Sequence, residues 1–345
     1  MDVLKDQKTD FKEIIYEKGD WVARITINRP QVYNSYSANA LEELAQAFRQ
    51  AAFDDEVAVI VYTGAGDKAF CTGGDVKEYQ QRYTRSPHDY WKYMRLFGAY
   101  IESIVNAGKP VIARINGMAV GGGNESNLAC DLAVIAEHAW IGQVGTGVGS
   151  VAAGGATQWL PITIGDRRAR YMLMTNRRIP AYQALEWGLV NQVAPSVKKD
   201  GEFIEHAAPE QIAKAQKGAD GYSISLEKLD EAVDALAQEL VDKFPECTRF
   251  TKEQVNVWKN FGWHQTIGGA RDWLSTHYTS WEPLEGMTAF VEKRPARYRM
   301  LRERAAQGKS SEFIWGAYEK DCPACGAKAL PEEFTHCGVC GAELK

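Results

Sequence analysis

The chain has 345 residues, is 45% hydrophobic and carries a formal charge of -5. That length and apolar content allow one substantial core with a smaller appendage and exclude wholesale disorder; the acidic balance gives no reason to expect nucleic acid or an anionic membrane surface as a partner. No stretch approaches the roughly 20 apolar residues of a bilayer span, and no apolar secretory core follows Met1-Asp2-Val3-Leu4-Lys5-Asp6, so the expected location is the cytoplasm.

In chain order, residues 21–27 alternate as a strand that stops at Asn28-Arg29-Pro30. Residues 37–52 then place Leu41, Leu44, Ala45 and Phe48 on one side of a helix. The continuous apolar run 58–63 predicts a strand buried on both faces. It leads through Gly64-Ala65-Gly66 into a first glycine-rich turn, Ala69-Phe70-Cys71-Thr72-Gly73-Gly74-Asp75. Residues 76–100 read as a loop or broken helix with a new start at Ser86-Pro87, continuing to Asn106.

Residues 109–115 form the next strand, followed by a second glycine-rich turn, from Asn116-Gly117 through Gly121-Gly122-Gly123-Asn124-Glu125, and a helix through Ala129. A further strand covers 131–136, and Ile141-Gly142 opens another. Residues 145–155 hold too many glycines for a stable element, so their backbone is expected to pack closely against a ligand or another segment. Helices follow at 156–164, 167–175 and 181–187, the last ending at Gly188 before a short strand at 189–193. After a polar stretch at 195–225, helical periodicity returns at 226–244 and, in pieces, at 255–290. The repeated strand, turn and helix order implies an α/β layered core, and no internal repeat is convincing.

The two glycine turns each follow a strand and open into a helix. Two such turns can aim free backbone N–H groups at one carbonyl oxygen, which makes an anion-stabilising pocket the first functional expectation. A second motif lies beyond a charged linker that starts near Arg304. Cys322-Pro323-Ala324-Cys325-Gly326 and Cys337-Gly338-Val339-Cys340-Gly341 have the spacing of two knuckles around one tetrahedral ion. Four thiolates leave no open position for water, so the ion is expected to be structural zinc; the 11-residue spacer and lack of an aromatic-rich core argue against an iron site. His336 adjoins Cys337 and is an alternative ligand, a residue just outside the ligand set, or an exposed one.

The ordered elements Asn28-Arg29-Pro30 with Asn34, Lys68 to Asp75, Asn116-Gly117 with Gly121-Gly122-Gly123, Ala129-Cys130-Asp131, Gly154-Gly155-Ala156-Thr157, Ala184 to Val190 and Glu285 to Arg294 resemble the crotonase, or enoyl-CoA hydratase/isomerase, superfamily over residues 12–300. The resemblance implies an α/β crotonase-like ββα superhelix with a C-terminal helical region and a small zinc-ribbon appendage. On that pattern the chain divides into a core at 1–195, an insertion at 196–225, a helical trimerisation region at 226–304, and a linker with the zinc ribbon at 305–345. The assembly expected is a homotrimer or hexamer.

By the same resemblance, the N–H groups of Gly74 and Gly122 hold the thioester oxygen of an acyl-CoA, so coenzyme A is part of the substrate. The adenine lies against the backbone of Lys68, Ala69 and Phe70, Phe290 and Lys293 assist the nucleotide end, and Arg29 pairs with a phosphate. A surface salt bridge for Arg29 and simple packing for Phe290 stay open. Hydratases of this superfamily use two glutamates. Glu125 matches the first by its place after Gly121-Gly122-Gly123-Asn124, but the second falls at Gly145, where there is no carboxylate.

Tyr33-Asn34-Ser35-Tyr36, the run Gly66 to Gly74, the aromatic stretch Tyr90 to Phe97 and Gly149-Ser150 resemble more specifically the ring-opening branch of 6-oxocyclohex-1-ene-1-carbonyl-CoA hydrolases. This implies water addition to a cyclic oxo-enoyl-CoA and carbon–carbon cleavage, with Glu125 moving protons. Asp75 is the second acid/base candidate, Tyr79 and Tyr83 are candidate donors to the ring oxygen, and Ser150 a candidate for orienting water or substrate. Helix capping for Asp75 and Ser150, and core packing for the tyrosines, are the alternatives. The chain departs from that branch at Thr146-Gly147-Val148, where a basic loop is expected. Two other readings stay open: a hydratase or isomerase using Glu125 alone, and a non-catalytic scaffold whose ribbon binds a partner.

Overall fold

The computed structural model describes residues 10–84, 86–308, 318–328 and 330–345. They form two compact units, the first of residues 10–75, 92–146 and 151–271, the second of residues 76–84, 86–91, 147–150, 272–308, 318–328 and 330–345.

The first unit is built on a six-stranded sheet whose order is Ile14–Gly19, Val22–Ile27, Val59–Gly64, Val111–Ile115, Leu132–Ala136 and Gln192–Ala194. The first pair is antiparallel and the rest run parallel. The run Val59–Gly64 is buried at every position, as its unbroken β-branched sequence requires. Helix Ala38–Phe53 starts where the Ser37 hydroxyl accepts the Ala40 N–H at 3.1 Å, and buries Leu41, Leu44, Ala45 and Phe48.

A second sheet of four short strands comprises Ala69–Cys71, Met118–Val120, Trp140–Gly142 and Arg178–Pro180; of these the sequence pattern marks only the third, at Ile141-Gly142. Each of the first three follows a long strand of the main sheet. Long strand, short strand, helix therefore recurs at Val111–Ile115, Met118–Val120 and Gly122–Ala129, and again through Leu132–Ala136, Trp140–Gly142 and Ala156–Ile164. This is the ββα superhelix. The repeat is one of topology, carried by strands of three residues inside glycine turns, so periodicity alone did not reveal it. Helix Pro245–Val255 is tied to the main sheet by Lys252, whose buried ammonium donates to Asp131 at 2.8 Å and to the carbonyls of Ile104 and Lys109.

The polar stretch between residues 196 and 225 has a sheet and a core of its own. Val197–Lys199, Glu202–Ile204 and Tyr222–Ile224 make an antiparallel sheet that, with helix Pro209–Ala215, closes a small core of Val197, Ala207 and Ala215. The strand expected at 189–193 lies at Gln192–Ala194 instead, pairing with Leu132–Ala136.

In the second unit, the broken helix after Asp75 is one α-turn, Val76–Glu78, continued by a π-helical turn, Tyr79–Tyr83. Helix Trp281–Val291 packs against the loop of residues 147–150 through glycine on both sides. A Cβ on Gly149 would overlap the Glu282 carbonyl, and one on Gly286 would overlap Val148. Glu285 of that helix receives Arg294 at 2.7 Å and Arg297 at 2.9 Å. Helix Met300–Ala306 lies at the start of the expected linker, of which residues 309–317 fall outside the described residues. A two-stranded ribbon, Tyr318–Lys320 with Leu330–Pro331, carries the cysteine module.

Candidate active site

Two buried asparagines build the first glycine turn. Asn34 and Asn116 both donate to the Ala69 carbonyl, at 2.7 and 3.0 Å, and each holds a second carbonyl of the preceding loop, that of Ala65 and of Gly66. Past strand Ala69–Cys71 the backbone reverses at Gly73, whose φ of +84° suits glycine. Sequence reading used Asn34 and Asn116 as family markers without giving them a task; their task is to fix this turn.

The second turn reverses at Gly121, with φ +57°, into helix Gly122–Ala129. The turns are in contact. A Cβ on Gly73 would sit 2.8 Å from the Gly122 nitrogen, and one on Gly123 would overlap the Cys71 carbonyl. The segment holding Gly74 is fixed by Tyr36, whose N–H donates to the Gly73 carbonyl at 3.0 Å and whose carbonyl accepts the Asp75 N–H at 3.2 Å. Those bonds skip Gly74. The N–H groups of Gly74 and Gly122 have no hydrogen-bond partner among the described residues, and Gly122 is at a helix N-terminus, where the dipole adds to the attraction for negative charge.

One turn into the same helix stands Glu125, 4% exposed. Its Oε1 accepts the N–H groups of Gly154 and Ala156, at 2.6 and 3.2 Å. Gly154 is where it is because a side chain there would collide with Phe97 and crowd the Glu125 carboxyl. Thus the glycine-rich segment expected to pack against something does so against Phe97 and Glu125. Burial pushes the Glu125 carboxyl up to about 7, and the two amide bonds pull only partly against it. No ion pair reaches Glu125 among the described residues, so the proton is held or released near neutrality.

Other expected site residues in this unit are engaged internally. Arg29 lies 3.0 Å from Glu13 and 3.5 Å from Asp75 and donates to the Ser35 carbonyl. The Phe70 ring is fully buried against Tyr62, at 5.1 Å between centroids. The Lys68 carbonyl accepts the Met118 N–H while Lys68 itself is exposed, and Ala69 is buried in the short sheet. Gly145 begins a 3-10 turn, Gly145–Gly147, and brings no carboxylate.

In the second unit Tyr79, Tyr83, Tyr90 and Tyr278 form one aromatic cluster. Tyr90 and Tyr278 stack at 3.6 Å, and Tyr79 meets Tyr83, Tyr90 and Tyr278 at 5.8 to 6.2 Å. The Tyr83 hydroxyl donates to Glu78 at 2.9 Å, and the Tyr278 hydroxyl to Ser150 at 3.5 Å. Burial raises the pKa of Tyr83, Tyr90 and Tyr278, so all three stay neutral donors at ordinary pH. Tyr79, Tyr83 and Ser150 are candidates from the sequence, whereas Tyr278 is too distant in the chain to carry a signal. Phe290 is 60% exposed on helix Trp281–Val291, and Lys293 follows it at φ +55°.

The cysteine module in this unit forms two knuckles. Each closes by an N–H of a glycine at positive φ, Gly326 to the Cys322 carbonyl at 2.9 Å and Gly341 to the Cys337 carbonyl at 2.8 Å. The sulfurs of Cys322, Cys325, Cys337 and Cys340 all lie within 4.8 Å of one another, with Cys322 to Cys340 at 3.6 Å and Cys325 to Cys337 at 3.7 Å. A tetrahedron of metal–sulfur bonds of about 2.3 Å has edges of about 3.8 Å, so this cluster can hold a metal ion. His336 is not among the four; its ring meets the Thr335 hydroxyl at 3.1 Å.

A profile of the family described as enoyl-CoA hydratase/isomerase matches residues 17–220. The chain is similar to a 6-oxocyclohex-1-ene-1-carbonyl-CoA hydrolase of Thauera aromatica, 35% identical over 309 residues that cover 82% of each chain. It is 34% identical to the hydrolase of the same description from Geobacter metallireducens, covering 80% of this chain and 77% of that one. Among solved structures, an enoyl-CoA hydratase from Mycobacterium avium subsp. paratuberculosis K-10 aligns with a TM-score of 0.67 at 25% identity, covering 83% of this chain and 98% of the other.

Proposed function

Because the chain belongs to the enoyl-CoA hydratase/isomerase, or crotonase, family, we propose that it is an acyl-CoA enzyme that hydrates and hydrolytically opens the ring of a cyclic oxo-enoyl-CoA. The observation that carries this reading is Glu125. A buried carboxyl without a counter-cation, held by two amides and poised near pH 7, is suited to both giving and taking a proton, and it stands one helical turn from the Gly122 N–H. The relatives from Thauera aromatica and Geobacter metallireducens support the cyclic substrate class.

In the first stage water adds to the β-carbon of the conjugated double bond while a proton goes to the α-carbon, leaving a hydroxylated ring. In the second, water adds to the ring ketone. The bond between that carbon and the α-carbon breaks, its electron pair passes into the thioester as an enolate, and protonation of the α-carbon leaves an open-chain hydroxy acid as its CoA thioester. Both stages place negative charge on the thioester oxygen. The N–H groups of Gly74 and Gly122 would receive that charge, and one such donor is worth about 3 kcal/mol in a transition state. Glu125 would shuttle the protons, with Asp75 as the second acid/base group and Tyr79, Tyr83 and Ser150 orienting the ring oxygen or water. Lys68, Ala69, Phe70, Arg29, Phe290 and Lys293 would bind the coenzyme A portion.

In this reading the four cysteines hold zinc, which would cross-link a module whose own core is only Cys322, Cys337 and Leu344 with a few partly buried neighbours. The helices of residues 226–304 would carry a homotrimer or hexamer in the cytoplasm. Among the described residues no helix is long and apolar enough to cross a membrane. The test is incubation with 6-oxocyclohex-1-ene-1-carbonyl-CoA in oxygen-18 water. Open-chain 3-hydroxypimeloyl-CoA bearing label in both the hydroxyl and the new carboxylate is the expected product; an unchanged or merely hydrated ring overturns ring opening.

A further inference from the structure

Between the two glycine turns lies a side chain to which the proposed mechanism gives no task. Tyr36 is 1% exposed and touches both of them. Its backbone brackets Gly74 through the bonds to Gly73 and Asp75, so it fixes where one free N–H points. Its hydroxyl fills the space where a Cβ of Gly122 would be, so it abuts the backbone that carries the other. Its ring stacks on Phe97 at 5.6 Å between centroids and an interplanar angle of 29°, and meets Tyr100 edge-on at 5.9 Å. Phe97 in turn packs on Gly154, whose N–H holds Glu125.

We propose that Tyr36 is the positioning residue of the oxyanion pocket, its hydroxyl fixing the Gly122 donor relative to the Gly74 donor and its ring coupling the pair to the Glu125 support through Phe97. The physical demand is geometric. Two N–H groups stabilise one oxygen only if both point at it, and a backbone with no side chain at residues 73, 74, 121, 122 and 123 has little of its own to hold that angle. Tyr36 supplies the missing wall: a rigid ring, clamped by two aromatics, with a polar tip against Gly122. The carbonyl of a resting substrate tolerates a loosely aimed donor better than a developing oxyanion does, so the hydroxyl acts on the transition state more than on binding.

This inference rests on the acyl-CoA reading of the site, and its test separates the two. Tyr36→Phe keeps the stacked ring and the backbone bonds and removes only the hydroxyl. With the cyclic substrate, kcat should fall about ten-fold while KM stays unchanged, with the thermal midpoint serving as a check on folding. A second readout does not need turnover. The β-keto thioester acetoacetyl-CoA ionises to an enolate that absorbs in the near ultraviolet and carries charge on the same thioester oxygen. The wild-type protein should lower the apparent pKa of this bound probe, and Tyr36→Phe should raise it again by about one pH unit, the same ten-fold loss. A Tyr36→Phe protein that ionises the probe as the wild type does overturns the proposal. So does a wild-type protein that leaves the probe's ionisation unchanged, because there is then no oxyanion pocket to position. A wild-type protein that favours the enolate, loses that preference in Tyr36→Phe, and yet leaves the cyclic substrate unopened supports Tyr36 and overturns only the choice of ring.

Discussion

Gly121 and Gly326 use the same backbone freedom for opposite ends. At the turns of residues 73–74 and 121–122, positive φ at Gly73 and Gly121 leaves the next N–H groups without a partner among the described residues. At the cysteine knuckles, positive φ at Gly326 and Gly341 turns those N–H groups inward to close on the Cys322 and Cys337 carbonyls. The first arrangement keeps donors open for a ligand's charge, and the second consumes them in holding four sulfurs together. What differs is the surroundings. Gly122 is hemmed in by Tyr36 and Gly73, whereas nothing lies within 4 Å of where a Cβ on Gly326 would be.

The largest effect expected on the open site comes from its proton carrier. Glu125→Gln keeps an oxygen for the Gly154 and Ala156 amides but cannot transfer a proton, so kcat should fall about 1,000-fold, with the thermal midpoint showing that the fold survives. Gly122→Ala should cost about 100-fold in kcat, because the new methyl collides with the Tyr36 hydroxyl and turns the donor away. Gly326→Ala should cost only about 1 kcal/mol of ribbon stability from its positive φ, read as a modest rise in metal dissociation by competition with a chromogenic chelator. If the two alanine variants were equally mild, the contrast between open and closed turns would collapse.

Removing the metal sharpens the comparison from the other side. Metal analysis of the purified protein should find one zinc per chain. Chelation should make the four ligand thiols reactive toward a thiol reagent and abolish amide protection over residues 318–345, since so small a core does not hold by itself.

Two buried glutamates provide the most diagnostic test. Glu125 meets no cation among the described residues and its pKa is raised to about 7, so the folded state binds its proton more tightly than the unfolded chain. Its contribution to stability is full below about 4.5 and is lost as pH rises through about 7, a difference of about 3 kcal/mol. Glu285, paired with Arg294 and Arg297, is lowered to about 2, so its contribution is present above about 4.5 and lost as pH falls through about 2. Denaturant titrations across pH should therefore show Glu125→Gln flattening the slope between 4.5 and 7, and Glu285→Gln flattening only the acid limb.

Much of this was legible in the residues. The buried run at Val59–Gly64, the one-sided apolar pattern of Ala38–Phe53 and the Cys-x2-Cys pairs encode their outcome within a few neighbours, because burial on two faces, helix amphipathicity and knuckle closure are all local. The short strands at Ala69–Cys71 and Met118–Val120 were not, since three residues inside a glycine turn carry no period; the pairing between them makes them strands. The polar stretch at 196–225 was read as an excursion because its small core needs Val197, Ala207 and Ala215 brought together before any apolar face exists.

For the site itself, the residues alone determine the inventory: which glycines can free their N–H groups, which glutamate stands one turn behind them, and which four thiols can share an ion. Only the tertiary structure decided the properties that chemistry depends on. The Glu125 carboxyl is near neutrality because segments about 30 residues away bury it and offer just two amides, at Gly154 and Ala156. Arg29 is engaged by Glu13 and Asp75, and Tyr36 stands against Gly122, through contacts between segments far apart in the chain. Desolvation and donor angle are properties of an environment, and an environment exists only after distant segments have packed.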